Sequence, residues 1–458
     1  MRRTGKTLAA LMLLLPFALL SCKNSEDGII VVTRQTGTYI DTISPENDLY
    51  PSSIGLIKPG KEGITILTGD FFAACSPDIS FDANYLLFAG RKTKDSPWQI
   101  WEMKLKNGKT KEVTPATETC IDPAWLPGDR LVYSRLLVND SLKSHLSLFT
   151  CNRDGSGNER ITFTPSSYNS STVLADGRIL AICRKDYPVN GKPEMIVLRP
   201  DGTKAELFFK SPGLYSMRPH ETASSEIVFT EKANSTGKML VSRVNYNVPL
   251  HSKSLIFKDI TGDFISAVPY NNKWLVCSRK QSAERFSVSE YDEKGGSLIQ
   301  IYSDDGTDVV YAIRASARPV PRKLPSEVDK LVKTGLLLCQ DITVNGQSLD
   351  SGERKTMQIE ITGIDASYGR VQPESDGSIY MKIIADMPFR ISTLDENGHV
   401  IRTCNWMSLR PNERRGCSGC HEDSETVPEN RLPLAVRQAP AIIPVHVEKI
   451  TEKIVELE

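Results

Sequence analysis

The run Cys417-Ser418-Gly419-Cys420-His421 has residue types and spacing matched to a covalent chemistry. Two cysteines separated by two residues, with a histidine directly after the second, form the attachment sequence of a c-type haem. The thiols of Cys417 and Cys420 would join the porphyrin vinyls as thioethers, and His421 would offer its imidazole to the iron as an axial ligand. For the sixth position the candidates are Met407, His399 and His446. A filled sixth position favours electron transfer, and an open one favours small-ligand chemistry. The same residues admit other readings. Cys404 lies 13 residues before Cys417, so Cys404, Cys417, Cys420 and His421 could form a Cys3His zinc site. Cys417 and Cys420 could instead close a disulfide or stay as thiols.

Such a motif needs an exported chain, and the amino end supplies one. Arg2, Arg3 and Lys6 precede an apolar run over residues 8–20, broken only by Pro16. That run is too short to span a bilayer and reads as the core of a signal peptide. It ends in Leu19-Leu20-Ser21-Cys22, which resembles the bacterial lipobox, in which the cysteine is acylated and becomes the first mature residue. Residues 1–21 are therefore expected to be the signal peptide, and 22–28 a lipidated tether whose acyl chains supply a stable anchor. The expected location is the cell envelope, as an outer-membrane lipoprotein on its periplasmic or surface face. Of the ten cysteines, Cys75, Cys120, Cys151, Cys183, Cys277 and Cys339 stand singly in apolar segments and read as core residues.

The composition leaves room for large supporting elements. The chain has 458 residues, 40% of them hydrophobic, with 56 basic and 56 acidic side chains. Removing residues 1–21, which carry three basic groups and no acid, leaves 53 basic against 56 acidic. No broad positive field exists for nucleic acid. No Ser-His-Asp spacing, phosphate-binding glycine loop or zinc-binding helix motif occurs, so whether the chain is an enzyme stays open at this level.

From about residue 29 to 317 the sequence repeats. Leu86, Leu131, Leu180, Ile227 and Leu275 occupy equivalent places in β-rich units, with spacings of 45, 49, 47 and 48 residues. That period predicts a β-propeller of six blades, or seven, in which Asp-Gly steps make hairpin turns and strands from both ends close the ring. The units resemble TolB-like repeats. Asp78, Asp122, Asp176 and Arg178 are expected to shape turns rather than do chemistry. His220, just ahead of its repeat's strand on a loop expected to face the channel or one face of the ring, is a weaker candidate for a catalytic or metal role, a lone histidine being more often structural or exposed.

Past the Pro-rich step Arg318-Pro319-Val320-Pro321 the texture changes, and 318–458 is expected to be a second domain. Alternating strands with turns at Asp376-Gly377 and Asn397-Gly398 predict a small β-sandwich-like module with a haem-binding carboxyl-terminal segment. The fold class is all-β.

The flanks of the cysteine motif carry a family likeness. Ser375-Asp376-Gly377-Ser378-Ile379-Tyr380, Ala385-Asp386-Met387-Pro388-Phe389, Leu394-Asp395-Glu396-Asn397-Gly398, Trp406, Leu409-Arg410-Pro411-Asn412-Glu413-Arg414 and the motif with Glu422 resemble the haem-bearing region of the hydrazine synthase alpha-subunit-like family. The resemblance implies a six-bladed propeller joined to a c-haem domain, and a protein redox partner or multi-subunit complex. In that family a tyrosine iron ligand follows the motif by four residues. Here the position is Glu425, and a second Cys-x-x-Cys-His is absent, so hydrazine synthesis itself is not expected. The reading is a lipoprotein with one covalent haem, acting as electron carrier or oxidoreductase subunit. The alternative is a propeller-based binding or scaffold protein whose cysteine motif holds zinc or is structural.

Overall fold

The computed structural model describes residues 28–35, 50–139, 142–343 (except 186, 189–190, 212, 215–217, 234–235, 259, 261, 271 and 281–283), 356–419, 425 and 430–444. Cys22, Cys420, His421 and His446 lie outside the described residues.

Within the first two thirds, four four-stranded antiparallel sheets follow an eight-stranded one, which divides into two four-stranded blades joined by a single parallel bridge between Ser52 and Ala73. Blade 2 is built from Ala73–Ile79, Tyr85–Arg91, Gln99–Lys104 and Lys109–Glu112. Blade 3 begins at Cys120–Leu126, blade 4 at Ser166–Val173, blade 5 at His220–Glu221 and blade 6 at Asp263–Tyr270. Blade 1 draws on both ends: the early strand Gly28–Gln35 pairs with Ser52–Ile57 on one side and with the late strand Thr307–Ala315 on the other. Among the described residues the blades number six, and this pairing closes the ring. Leu86, Leu131, Leu180, Ile227 and Leu275, which set the sequence period, all sit in second strands and are all fully buried. The repeat is thus the spacing at which a blade presents one aliphatic side chain to the packing between sheets.

The expected turn residues divide into two groups. Asp176 does shape its turn, accepting the Arg178 amide at 3.0 Å. Asp78 and Asp122 do not shape turns. Each stands at a β-bulge in an innermost strand, beside register shifts at Cys75/Asp78 and Ile121/Ala124. There each carboxylate reaches the next blade: Asp78 accepts the Trp125 amide and Asp122 accepts the Ser170 amide, both at 2.8 Å. A bulge re-aims a side chain, and here it turns a local acid into a staple between blades.

The chain after Ala315 runs over blades 2 to 4, where the Arg318 amide donates to Phe81 and the Arg322 amide to Ala175. Two four-stranded sheets follow. One orders Arg414–Gly419, Thr334–Asp341, Ile379–Ile384 and Ala441–Ile443, and the other Ser367–Val371, Gln358–Thr362, Arg390–Leu394 and Val400–Thr403. Leu337, Met381 and Ile383 from the first share one buried cluster with Ile359, Ile361 and Ile391 from the second, which is the expected sandwich. Cys120, Cys151, Cys183, Cys277 and Cys339 are buried, and burial pushes the Cys120 thiol up to about 11 and that of Cys277 to about 12. Among the described residues no helix is long and apolar enough to cross a membrane.

Gly177 tests the seating of the connecting segment. Its φ is +90°, and an added Cβ would lie 2.0 Å from the Arg322 carbonyl oxygen, whereas Gly60, at φ +70°, faces open space. Gly177→Ala is expected to cost the upper end, and Gly60→Ala the lower end, of about 1–3 kcal/mol in urea unfolding.

Candidate functional site

Cys417 lies in the strand Arg414–Gly419, at the edge of its sheet. This strand runs parallel to Thr334–Asp341 with Leu336 opposite Arg414, Cys339 opposite Cys417 and Asp341 opposite Gly419. Cys417 is half-buried, and the neighbouring Gly416 is exposed, with open space where a Cβ would be. Cys404, Met407 and Met387 are likewise half-buried and pack on the same apolar cluster as Cys417. The structure therefore brings Cys404, Met407 and Cys417 onto one core.

His399 is not among those side chains. It is exposed (68% of its side chain) at a hairpin end, with Nδ1 3.4 Å from the buried Asp395 carboxylate. The Cys404 thiol accepts the Ile391 amide at 3.1 Å and donates to the Asn405 carbonyl at 3.1 Å. Among the described residues no group of three metal-binding side chains converges.

What holds the Cys417 strand is the turn just before it. The Arg410 side chain, 4% exposed, pairs with Glu159 of blade 3 at 2.6 Å and with Asp386 at 2.8 Å. Its Nε donates to the Asp201 carbonyl of blade 4 at 2.9 Å, and the guanidinium stacks over Phe163, 4.9 Å from the ring centre. Three residues on, the fully buried Glu413 carboxylate accepts the Arg410 amide and the Lys204 amide of blade 4, both at 2.8 Å. It also pairs with Arg415 at 2.7 Å. Asn412, at φ +65°, lets the chain reverse between these two charges. Burial raises the Asp386 carboxyl above its ordinary range, with Arg410 opposing. Charged residues this deep need partners on every side, and the propeller supplies half of them. The residue types Arg-Pro-Asn-Glu signal a turn, but nothing in their spacing reveals partners in blades 3 and 4.

Beyond the motif, the buried Glu425 carboxylate accepts the Leu250 amide in blade 5 and lies 3.9 Å from His251 Nε2. The position that holds a tyrosine iron ligand in the resembling family is thus taken up by a propeller contact.

His220 lies in a strand rather than in the loop ahead of it. It opens the innermost strand of blade 5, where its Nε2 lies 2.8 Å from the hydroxyl of Tyr311 in the closing strand, with the two rings stacked. Burial, with Arg218 and Arg318 nearby, holds its pKa down at about 3, so it is neutral. Arg218 spans blades 2 and 3, donating to the Pro77 carbonyl at 3.1 Å and the Pro123 carbonyl at 2.6 Å. Arg318 donates to both Asp78 oxygens at 2.9 and 3.0 Å. These contacts describe a tied-up propeller interior rather than a metal or catalytic centre.

With this geometry in place, the comparisons with known proteins agree with the sequence. Residues 337–422 match the family model of the hydrazine synthase alpha subunit middle domain. Hydrazine synthase subunit alpha of Kuenenia stuttgartiensis is 42% identical over 52 residues, which is 11% of this chain and only 6% of that protein. The solved hydrazine synthase of Kuenenia stuttgartiensis superposes with a TM-score of 0.75 at 17% identity, over 90% of this chain and 71% of that one. TolB from Acinetobacter baumannii aligns with a TM-score of 0.46 at 15% identity, over 63% of this chain and 66% of that one. Residues 337–422 are thus similar to the middle domain of the hydrazine synthase alpha subunit, and the superposition shows that the chain shares that protein's fold.

Two outcomes are expected. Arg410→Ala leaves Glu159 and Asp386 without their shared cation and should cost about 3–5 kcal/mol in denaturant unfolding, with little rescue by Arg410→Lys, which cannot make the same fork. For His220 the folded pKa of about 3 lies below the ordinary 6.5, so the unfolded chain takes up the proton first. Its contribution to stability is complete above pH 6.5 and falls as the pH drops towards 3, by about tenfold in the folding constant per unit. His220→Gln should flatten that part of the stability–pH curve relative to the unaltered protein.

Proposed function

We propose that this chain is a cell-envelope lipoprotein carrying one covalent c-type haem, and that it serves as an electron carrier or as a subunit of an oxidoreductase complex. The observation that carries this reading is Cys417: a half-buried thiol on an ordered edge strand, inside the segment that matches the hydrazine synthase alpha middle domain, at the first position of Cys-x-x-Cys-His. Half-covered Met387, Met407 and Cys404 on the same core as Cys417, and the open space at Gly416, fit a large apolar group hung from that strand.

Cys417 and Cys420 would hold the porphyrin by thioether bonds, and His421 would bind the iron. When bound, the haem supplies one-electron redox chemistry. Met407 is the sixth-ligand candidate that packs on the same core as Cys417, while His399 is engaged by Asp395 in its own turn. His446 remains a candidate from the sequence. The buried Arg410–Glu413 turn would fix the direction in which Cys417 leaves the sheet. Glu425, tied to blade 5 where the family carries tyrosine, supports electron transfer over hydrazine synthesis. Cys22 would carry the lipid, placing the protein on the outer membrane, and the propeller offers a rigid body for a redox partner. Cys404 packs on the same core as Cys417, which favours one alternative, a zinc-holding scaffold lipoprotein.

A pyridine haemochrome spectrum on protein from its native host should show c-type haem that stays on the chain in a denaturing, peroxidase-stained gel, and Cys417→Ala should lose it. Zinc without a Soret band would replace this reading with the scaffold one. With haem present, Met407→Ala should convert a low-spin ferric spectrum to high-spin if Met407 fills the sixth position, and an unchanged spectrum would assign that position elsewhere.

A further inference from the structure

Cys339 reads as a core cysteine in the sequence, yet the sheet places it directly opposite Cys417. The two stand on neighbouring parallel strands, in register, and both pack on the same apolar cluster, so their side chains share one face of the sheet. Neighbouring strands run ~4.8 Å apart. That spacing falls within the Cα separation of about 4.4–6.8 Å that a disulfide spans. Both residues carry thiols. Cys417 lies near the end of a strand that, among the described residues, stands at the edge of its sheet, where a small shift of the backbone is least costly.

We propose that Cys339 and Cys417 form a disulfide in the haem-free protein, which makes Cys339 a third cysteine of the attachment site. The half-exposed Cys417 thiolate attacks a low-molecular-weight disulfide such as glutathione disulfide and releases one glutathione thiolate. The sulfur of Cys339 then displaces the second glutathione from Cys417, so the two cysteines are oxidised by two electrons and one glutathione disulfide is reduced to two thiols. Cys417 in this form cannot add to a porphyrin vinyl, so haem attachment requires its prior reduction. The disulfide stands on the strand register alone, and its consequence for attachment rests on the haem reading above.

The full chain, made without haem-maturation machinery and equilibrated with glutathione disulfide, should yield a cross-linked peptide pair containing Cys339 and Cys417 in non-reducing mass spectrometry. Cys339→Ser and Cys339→Ala should both lose it. Cys417 found joined only to Cys420 or Cys404, left as a glutathione adduct, or still a thiol would each overturn the proposal. In a haem-maturing host under oxidising conditions, removal of Cys339 should raise the covalently haem-loaded fraction. Equal loading with and without Cys339 would overturn the block on attachment. Absence of covalent haem in every variant, with the cross-link intact, would instead overturn the haem reading and leave the disulfide standing.

Discussion

The Cys417 strand depends on a carboxylate with no access to water. The fully buried Glu413 carboxylate accepts the Arg410 and Lys204 amides and pairs with the Arg415 guanidinium. Arg410 in turn is neutralised by one acid of the propeller, Glu159, and one of the sandwich, Asp386. Removing any member leaves a charge in a region that cannot solvate it, so the set forms or fails together. Because the Glu413 carbonyl also accepts the Leu336 amide, this charge cluster sets where Arg414–Gly419 joins its sheet.

On the propeller's inner strands, several polar side chains are engaged across blades. The acids at the bulges, Asp78 and Asp122, are spent on the backbone of the next blade, Arg218 on carbonyls of two blades, and His220 on Tyr311. A ring closed by pairing its first and last strands makes a stiff platform. The outer turns of blades 3 and 4 meet the sandwich through Glu159, Asp201 and Lys204, and blade 5 reaches Glu425 through Leu250. The segment around the cysteine motif is therefore gripped on both sides, at Glu413 and at Glu425.

Much was legible in advance because it is written in short range. The propeller period reports one buried aliphatic position per blade, Leu86, Leu131, Leu180, Ile227 and Leu275, and burial of a fixed position is what a repeat encodes. The Asp-Gly and Asn-Gly turns, the alternating strands of the sandwich and the family likeness around Cys417-Ser418-Gly419-Cys420-His421 are of the same kind, since each depends on residues within a few places of one another. Expectations that failed did so where a local rule met a distant partner: Asp78 and Asp122 look like turn formers and act between blades, and His220 looks like a loop residue and is enclosed against Tyr311.

By itself, then, the sequence determined the architecture and the Cys-x-x-Cys-His motif, because hydrophobic periodicity, turn chemistry and motif spacing act over short stretches of chain. Only the tertiary structure decided that Arg410 finds Glu159, 251 residues away, and that Cys339 lies beside Cys417. Both follow from strands and turns that are remote in sequence. A buried charge or thiol takes its chemistry from whichever side chain the packing places within a few ångströms, and no local pattern carries that information.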